Sequence, residues 1–297
     1  MDSQKRTYYF LLHLTILIFG LTGVLGKLIS VSADVLVWYR LLIGVAGIVV
    51  YFFITKTTFK VNKKDLINLA AVGLIIAAHW VTFFEAIKQS NVSVALTCMA
   101  SSTFFTAILE PLYFRRRIKL YEIGLGLVVL FAISLIFSID FSYKLGIILS
   151  VTSAFLASWF TVLNGKLIKR VSAKLITFYQ LASALFFVSV YLLAQSKSMA
   201  DMALANSDIV YLLILGLACT SFAFLVSVEV MKKISPFTVS MSVNLEPIYS
   251  IAVALLIWPE TEKMPSLFYY AFILILAAIF VNAYLKNKMD KAGKEKG

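Results

Sequence analysis

Glu246 lies halfway along the apolar stretch 236–258, where a charge is costly. A charged side chain at the centre of a bilayer costs about 2.5–3.5 kcal/mol on insertion scales, so such a residue usually faces a cavity or a partner. Asn244 lies two residues before it. Pro247, directly after it, cannot donate to the carbonyl of Val243, which favours a helix kink with a free acceptor. We predict a cavity or gating role for Glu246, with a structural hydrogen bond between helices as the alternative.

His79 is a second titratable residue at depth, in the middle of the apolar stretch 66–87. An imidazole titrates near neutral pH, and the adjacent Trp80 could stack on an aromatic or apolar solute. A hydrogen bond between helices is the alternative for His79. Glu85 lies six residues further on, so in a helix it points about 120° away from His79, and an acid–base pair of the two would need a bent helix.

Arg40 is placed within the stretch 35–54, roughly a turn and a half from its start. It could bind a carboxylate through two parallel hydrogen bonds. An ion pair with an acid such as Glu85 is the alternative that we favour. Glu110 and Glu229 lie near the ends of their stretches, close to basic residues, and we predict that they only help to set the topology.

The composition places the chain in a membrane. Hydrophobic residues make up 61% and charged residues 14%, whereas a soluble domain is about half apolar and a quarter charged. The net charge of +12 comes from short clusters between apolar stretches, so nucleic acid is not an expected partner. Cys98 and Cys219 lie inside apolar stretches, and no metal-binding motif occurs, so we expect neither a metal nor a cofactor.

The apolar stretches predict ten transmembrane helices, since about 20 residues are needed to cross the hydrocarbon core. They fall at about 8–29, 35–54, 66–87, 93–113, 121–138, 143–165, 174–194, 209–230, 236–258 and 266–285. With both termini in the cytoplasm, the cytoplasmic segments hold the basic clusters at 5–6, 56–64, 115–119, 166–174, 232–233 and 286–296. The outer loops hold single lysines and most of the acids, including Asp140, as the positive-inside rule requires.

The two halves of the sequence resemble each other. Residues 26–29 and 165–168 both have the sequence Gly-Lys-Leu-Ile, each at the end of the first stretch of its half. Residues 85–88 align with residues 229–232 at an offset of 144. We therefore predict an all-α integral membrane protein of two five-helix repeats.

We place the first repeat at 1–140 and the second at 141–297. Five is an odd number of crossings, so the second repeat enters from the opposite side, which is the inverted-repeat architecture of secondary transporters with a site between the repeats. The offset of 144 places Ser102, beside Ser101, at the position of Glu246. We predict that these two positions face each other near the middle of the membrane.

Several short motifs match a known family. Residues 19–27 have the sequence Phe-Gly-Leu-Thr-Gly-Val-Leu-Gly-Lys, residues 39–42 Tyr-Arg-Leu-Leu, residues 245–247 Leu-Glu-Pro, and residues 259–260 Pro-Glu. In these motifs the whole chain resembles the EamA-like branch of the drug/metabolite transporter superfamily. The resemblance implies a ten-helix secondary carrier, commonly an exporter of amino acids or other metabolites.

We therefore expect a secondary active transporter of a small organic solute in a bacterial plasma (inner) membrane, working by alternating access, with protons as candidate coupling ions. The residues predicted to bind the solute are His79, Trp80, Ser101, Ser102, Trp159, Tyr179, Asn244, Glu246 and Tyr249. Those predicted to couple or gate are Arg40, His79, Glu85, Glu246 and Pro247. The alternatives are an integral-membrane transferase that uses His79 and Glu85, and a passive channel. Solute and membrane lipid are the expected partners, and a homodimer is left open.

Overall fold

The computed structural model describes residues 3–115, 117, 120–138 and 141–294. Arg116, Lys119 and Lys296 of the predicted cytoplasmic clusters lie outside the described residues, as does Asp140 at the predicted boundary between the halves. Within the part of the chain that is described, all regular structure is helical, as the composition predicts.

The helices are α1 (Ser3–Leu28), α2 (Ala33–Ile54), α3 (Lys63–Gln89), α4 (Val92–Met99), α5 (Ser102–Phe114), α6 (Leu120–Phe137), α7 (Lys144–Leu167), α8 (Ala173–Ala194), α9 (Asn206–Gly216), α10 (Ala223–Val230), α11 (Pro236–Val243), α12 (Glu246–Ile257), α13 (Pro259–Glu262) and α14 (Ser266–Lys294). A 3₁₀ turn (Phe141–Tyr143) precedes α7, and a π-helical turn (Leu217–Phe222) joins α9 to α10.

Eight helical segments of the described chain are long and apolar enough to cross a membrane. They are Arg6–Leu28, Ala33–Ile54, Lys63–Gln89, Val92–Phe114, Lys144–Leu167, Ala173–Ala194, Asn206–Val230 and Pro236–Ile257. The other two predicted stretches fall on shorter apolar helices, at Ile123–Ile136 and Ser266–Asn282. The protein is therefore a multi-pass membrane protein, while the count of ten spans stays a prediction.

Capping side chains fix where several of these helices begin. The side chain of Asn62 accepts a hydrogen bond from the amide of Asp65 at 2.8 Å, and Asn91 accepts one from Val94 at 2.8 Å. Ser235 caps α11, whose first residue is a proline that needs no partner for an amide. Such caps satisfy amides that the first turn of a helix leaves free.

Two spans are broken in the middle, and the breaks correspond. The pairs α4–α5 and α11–α12 each consist of an eight-residue helix, a two-residue break and a second helix. Val92 and Pro236, which begin the first helices, are 144 residues apart, and so are Ser102 and Glu246, which begin the second helices. This is the offset that the sequence alignment of the halves gave.

The two breaks have different local causes. In the second half, Pro247 has no amide for the carbonyl of Val243, so the α-helical ladder stops there. In the first half there is no proline at the break, and the hydroxyl of Ser101 instead donates to the carbonyl of Cys98 at 2.8 Å. A serine that bonds a backbone carbonyl competes with the helix. Both breaks tighten into turns, with amides bonded three residues back.

A buried glutamate holds the start of each broken span. Glu262 accepts from the amides of Val92 at 3.1 Å and Ser93 at 2.8 Å, and it also pairs with Lys27 at 2.7 Å. Glu110 accepts from the amide of Phe237 at 2.7 Å. In each case the carboxylate lies at the positive end of a helix dipole. Glu110 comes from α5 of the first broken span, whereas Glu262 comes from α13, the short helix after the second broken span.

The helices of the two predicted halves interleave. The first helix, α1, packs against α9, α10 and α12, and α7 packs against α3, α4 and α5. The remaining helices pair across the halves, α2 with α8 and α6 with α14. We call the end where α1 begins the basic end, because it carries residues 56–64 and 166–174, and the opposite end, which carries Asp34, Asp208 and Glu262, the acidic end.

Candidate functional site

A cavity of about 120 Å³ lies between the two broken spans. Its wall includes residues of α1, α2, α3, α7 and α10 as well as of the broken spans themselves. The sequence-predicted residues that line it are Arg40, His79, Trp80, Ser102, Asn244, Glu246 and Pro247. The cavity is thus the place where the structure brings most of the predicted polar residues together.

The cavity reaches further toward the basic end than toward the acidic end. Asn164 in the last turn of α7 and Met231 just after α10 line it at the basic end. At the acidic end α1 packs directly on α3, and a methyl group added to Gly26 would lie 2.4 Å from the ring of Phe84. The two helices are therefore in close contact at this end.

Arg40 is almost fully buried and is held by the π-helical turn. Its Nε donates to the hydroxyl of Thr220 at 2.6 Å, and Nη2 donates to the carbonyl of Cys219 at 3.4 Å. The guanidinium also lies over the ring of Trp80, 4.0 Å from its centre. The ion pair with Glu85 that we favoured is absent, because the carboxylate of Glu85 instead accepts from the side chain of Gln89 at 2.7 Å.

His79 is clamped to α7 through Ser153. Its Nδ1 lies 3.0 Å from the carbonyl oxygen and 2.8 Å from the hydroxyl of Ser153, and that hydroxyl donates to the carbonyl of His79 at 2.9 Å. The rings of Phe160 and Phe83 flank the imidazole, with centre-to-centre distances of 5.3 Å and 6.2 Å. The ring is therefore fixed on one side while its other side faces the cavity.

Asn244 ties the two breaks to each other. Its Nδ2 donates to the carbonyl of Ala100 at 3.3 Å and to the hydroxyl of Thr103, and its Oδ1 accepts from Ser102 at 3.3 Å. A further bond joins the hydroxyls of Thr106 and Ser240 at 3.1 Å. Ser102 therefore lies close to the second broken span, where its partner is Asn244, and its position opposite Glu246 stays a prediction.

Glu246 is the acid of the cavity wall. Arg40 and Glu246 are the charged residues that line the cavity, and they form no ion pair within 4.0 Å. Within the described chain, no side chain or amide donates to the Glu246 carboxylate. A carboxylate at membrane depth without a donor is costly, so this group, which is partly exposed, is available to a solute or a proton.

A sequence model of the EamA-like transporter family matches the chain twice, over residues 6–138 and 144–284. The chain belongs to this family. It is 22% identical over 260 residues to a protein of Bacillus subtilis (strain 168) named "Uncharacterized transporter YxxF", covering 85% of this chain and 82% of that protein. One solved structure, described as "Crystal structure of protein", has a TM-score of 0.71 and 14% identity, and covers 95% of this chain and 98% of its own, which is a likeness of fold.

The EamA family and the transporter relative confirm that this protein is a membrane transporter. They also confirm the resemblance found in the sequence, since the family belongs to the drug/metabolite transporter superfamily. The name of the relative gives no solute. The comparison therefore identifies the class of protein, and the solute has to be inferred from the residues that line the cavity.

Some predicted residues of this EamA-family chain lie outside the cavity. Trp159 donates its indole N–H to the hydroxyl of Tyr113 at 2.7 Å, and Tyr179 donates to the carbonyl of Phe59 at 2.5 Å. Tyr249 is 38% exposed, and Ser101 bonds the backbone of its own turn. Glu85 likewise bonds within its own helix. These positions depend on helix rotation, which the sequence pattern did not resolve.

The cavity also contains residues that we did not predict. Thr22 lies within the stretch 19–27 that carries the family resemblance, and this membership was the one signal that could have identified it. Asn164 lines the basic end of the cavity, where it accepts from Gln180 at 2.6 Å. Several phenylalanines complete the wall, namely Phe19, Phe83, Phe160 and Phe224. The chain has 24 phenylalanines, so the sequence alone could not select these four.

Glu110 corrects another prediction. We predicted that it only helps to set the topology, but its side chain is buried, at 8% exposure, and it holds the first turn of α11. Glu229 fits the prediction better, since it forms an ion pair with Lys232 at 2.5 Å and both side chains are partly exposed.

Proposed function

We propose that this transporter is a secondary active carrier that exports a small organic solute, such as an amino acid or a similarly small amphipathic metabolite, by alternating access. The observation that carries the proposal is the cavity, which is bounded by both broken spans and combines the Glu246 carboxylate and His79 with aromatic rings. Binding sites for small molecules are typically apolar pockets with a few oriented polar groups.

The corresponding breaks support the proposal of two inverted repeats. The offset of 144 between them and the matching caps at Asn91 and Ser235 are what a two-fold relation between halves would produce. The family model also matches each half separately. Two similar halves can adopt each other's conformation, which gives the alternation of access a physical basis.

The packing suggests which parts move. Since α1 packs with α9, α10 and α12, and α7 packs with α3, α4 and α5, each moving group combines helices of both halves. We propose that the conformation described is the one that faces the basic end, which the positive-inside rule places in the cytoplasm. The opposite conformation would release the contact between Gly26 and Phe84 and close the wall at Asn164 and Met231.

Protons are the proposed coupling ions. Glu246 can carry a charge or a proton within the cavity, and it has no protein donor that would fix its charged form among the described residues. The proton would then replace the solute at this carboxylate. The cavity lies within one chain, so the mechanism does not require a homodimer.

Counterflow in proteoliposomes tests this function. A radiolabelled solute should accumulate against excess unlabelled solute inside, and Glu246→Gln should abolish the accumulation or uncouple it from a pH gradient. Glu85→Gln is the matched control, because that carboxylate lies on α3 outside the cavity. Unchanged flux in Glu246→Gln would contradict the role of Glu246.

Counterflow also separates the two alternatives. A passive channel would show no counterflow, and the contact of Gly26 with Phe84 closes the bundle where a continuous pore would have to pass. A transferase that uses His79 and Glu85 as an acid–base pair would need both groups together, whereas they bond to Ser153 and Gln89. The structure therefore favours the carrier.

A further inference from the structure

We propose that the cavity recognises the protonated nitrogen of an amine-bearing solute, held by Glu246 and His79, and that the donors it leaves open to a carboxylate are neutral ones. The proposal rests on the proposed function and narrows its solute class. It follows from which polar atoms of the wall are already bonded and which are free.

His79 presents an acceptor to the cavity. A carbonyl oxygen can only accept, so the bond between Nδ1 and the carbonyl of Ser153 requires the proton to be on Nδ1. In the neutral ring Nε2 then carries a lone pair. Within the described chain, no donor approaches Nε2, and His79 lines the cavity. Ser153 thus acts as a positioning residue that selects the tautomer.

Glu246 is the second free acceptor. Its carboxylate lines the same cavity and has neither a hydrogen-bond donor nor a cation within 4.0 Å among the described residues. Hydrogen bonds between an ammonium group and a carboxylate are among the strong ones, because both partners are charged. A solute nitrogen would therefore supply what both acceptors lack.

The donors of the wall are mostly occupied or enclosed, and those left open, the indole N–H of Trp80 and the hydroxyl of Thr161, are neutral. Both bonds of Asn244 Nδ2 go to the first broken span, at Ala100 and Thr103. Arg40 uses Nε and Nη2 on the π-helical turn, and its Nη1, which has no partner, is enclosed by protein and has no accessible surface. A carboxylate would have to displace this packing to reach the guanidinium. The hydroxyl of Thr161, which also lines the cavity, can donate or accept and so does not discriminate.

The aromatic wall fits the same solute. Phe83 and Phe160 flank His79, and Phe160 also packs against Phe224, with ring centres 6.1 Å apart. Ring faces attract a cation within about 6 Å, and they cover the apolar body of a small amine. An anion gains nothing from these faces.

Three solutes that share one skeleton test the proposal. Leucine carries both charges, isopentylamine lacks its carboxylate, and 4-methylpentanoate lacks its amine. Binding to the purified full chain in detergent is measured for each by titration calorimetry. We expect isopentylamine to bind about tenfold more tightly than leucine, because the wall offers no accessible charged donor to replace the water around the carboxylate, and 4-methylpentanoate to bind least.

Variants identify the anchoring atoms. Glu246→Gln and His79→Asn should each weaken amine binding about tenfold, because each removes one acceptor of the ammonium group. Asparagine can still donate to Ser153, so the clamp to α7 is kept. Glu85→Gln should leave binding unchanged, and the thermal unfolding midpoint of every variant shows whether it is folded. Equal or tighter binding of leucine or 4-methylpentanoate, or no binding of the amine, would overturn the proposal.

Counterflow of the same solutes keeps this proposal separate from the function itself. Amine binding without any counterflow supports the site and contradicts the carrier. Counterflow of leucine or 4-methylpentanoate without counterflow of isopentylamine supports the carrier and contradicts the site.

Discussion

At each end of the bundle, an aspartate in the first turn of a helix holds a loop from the other half. At the acidic end Asp208 accepts from the amide and the hydroxyl of Ser30, at 3.0 Å and 2.6 Å. At the basic end Asp65 pairs with Arg170 at 2.8 Å. The framework that ties the helices together is therefore alike at the two ends, although the bonding groups differ.

The contacts beside this framework are not alike. At the acidic end Gly26 lies directly against the ring of Phe84 on α3. At the basic end the corresponding Gly165 lies against Pro236 of α11, where an added methyl group would be 2.2 Å away. The contact between α1 and α3 lies at the acidic end, and the cavity extends less far toward this end than toward the basic end. The two ends thus differ in a few side-chain contacts, while the aspartate anchors of the loops are common to both ends.

Among the substitutions at the two ends, removal of the buried glutamate Glu262 should lower the free energy of unfolding most. Glu262→Ala deprives Lys27 and the first turn of α4 of their partner, and we expect a loss of about 3 kcal/mol in the free energy of unfolding, near the low end for a broken buried pair because Lys27 is partly exposed. Denaturant titration in mixed micelles measures it. Glu260→Ala, at an exposed neighbouring position, is the control and should change little.

Forcing the acidic end apart is the second prediction. Gly26→Leu cannot fit beside Phe84, and overpacking of this kind costs about 1–3 kcal/mol, equivalent to about fivefold or more in the population of the closed state. A cysteine placed at Thr22, on the cavity wall, should react correspondingly faster with an impermeant maleimide added from the acidic side. Gly124→Leu is the control, because nothing lies within 4 Å of that position. Equal labelling rates would show that this contact is not the seal.

A smaller effect is expected at the loop anchor of the acidic end. Asp208→Ala leaves the amide and hydroxyl of Ser30 without their charged acceptor, which is itself buried, and we expect about 1–2 kcal/mol of destabilisation. Hydrogen exchange at the Ser30 amide should rise with it. Asp201→Ala, in an exposed loop at the same end, provides the reference and should not alter exchange at Ser30.

The smallest effect is expected at the matching anchor of the basic end. Arg170 is about half exposed, at 49%, so Arg170→Gln should cost no more than about 1 kcal/mol, and less at high salt. Denaturant titration at low and high salt measures the change. A larger loss than in Asp208→Ala would reverse the order of the two anchors.

Much of the fold followed from the sequence because membrane insertion acts on length and hydropathy. The apolar stretches located the helices, and the alignment of 85–88 with 229–232 gave the register in which Ser102 and Glu246 begin corresponding helices. The repeat offset of 144 could not show that Ser101 causes the first break. A serine interrupts a helix only when its hydroxyl bonds a backbone carbonyl, as that of Ser101 does with Cys98.

The candidate site was only partly predictable. Depth singled out Arg40, His79 and Glu246, because each is a titratable group far from water. Whether the other side chains face the cavity depends on the rotation of each helix about its own axis. A span that is apolar on all sides has no sequence pattern that indicates this rotation. Trp159 and Tyr179 were therefore included although they face other partners.

The π-helical turn that holds Arg40 has a consequence for how this chain can change in evolution. A π turn accommodates one more residue than an α turn, so it behaves like a single insertion tolerated inside a membrane helix. The neighbouring Arg40 and the hydroxyls of Thr220 and Ser221 donate to backbone carbonyls around it. These bonds satisfy the carbonyls that the π turn would otherwise leave without a partner inside the membrane. Loss of one residue between 217 and 222 would restore a regular helix, keep the span, and erase the cradle of the arginine. Relatives that differ by one residue in this span would then be expected to differ in cargo as well.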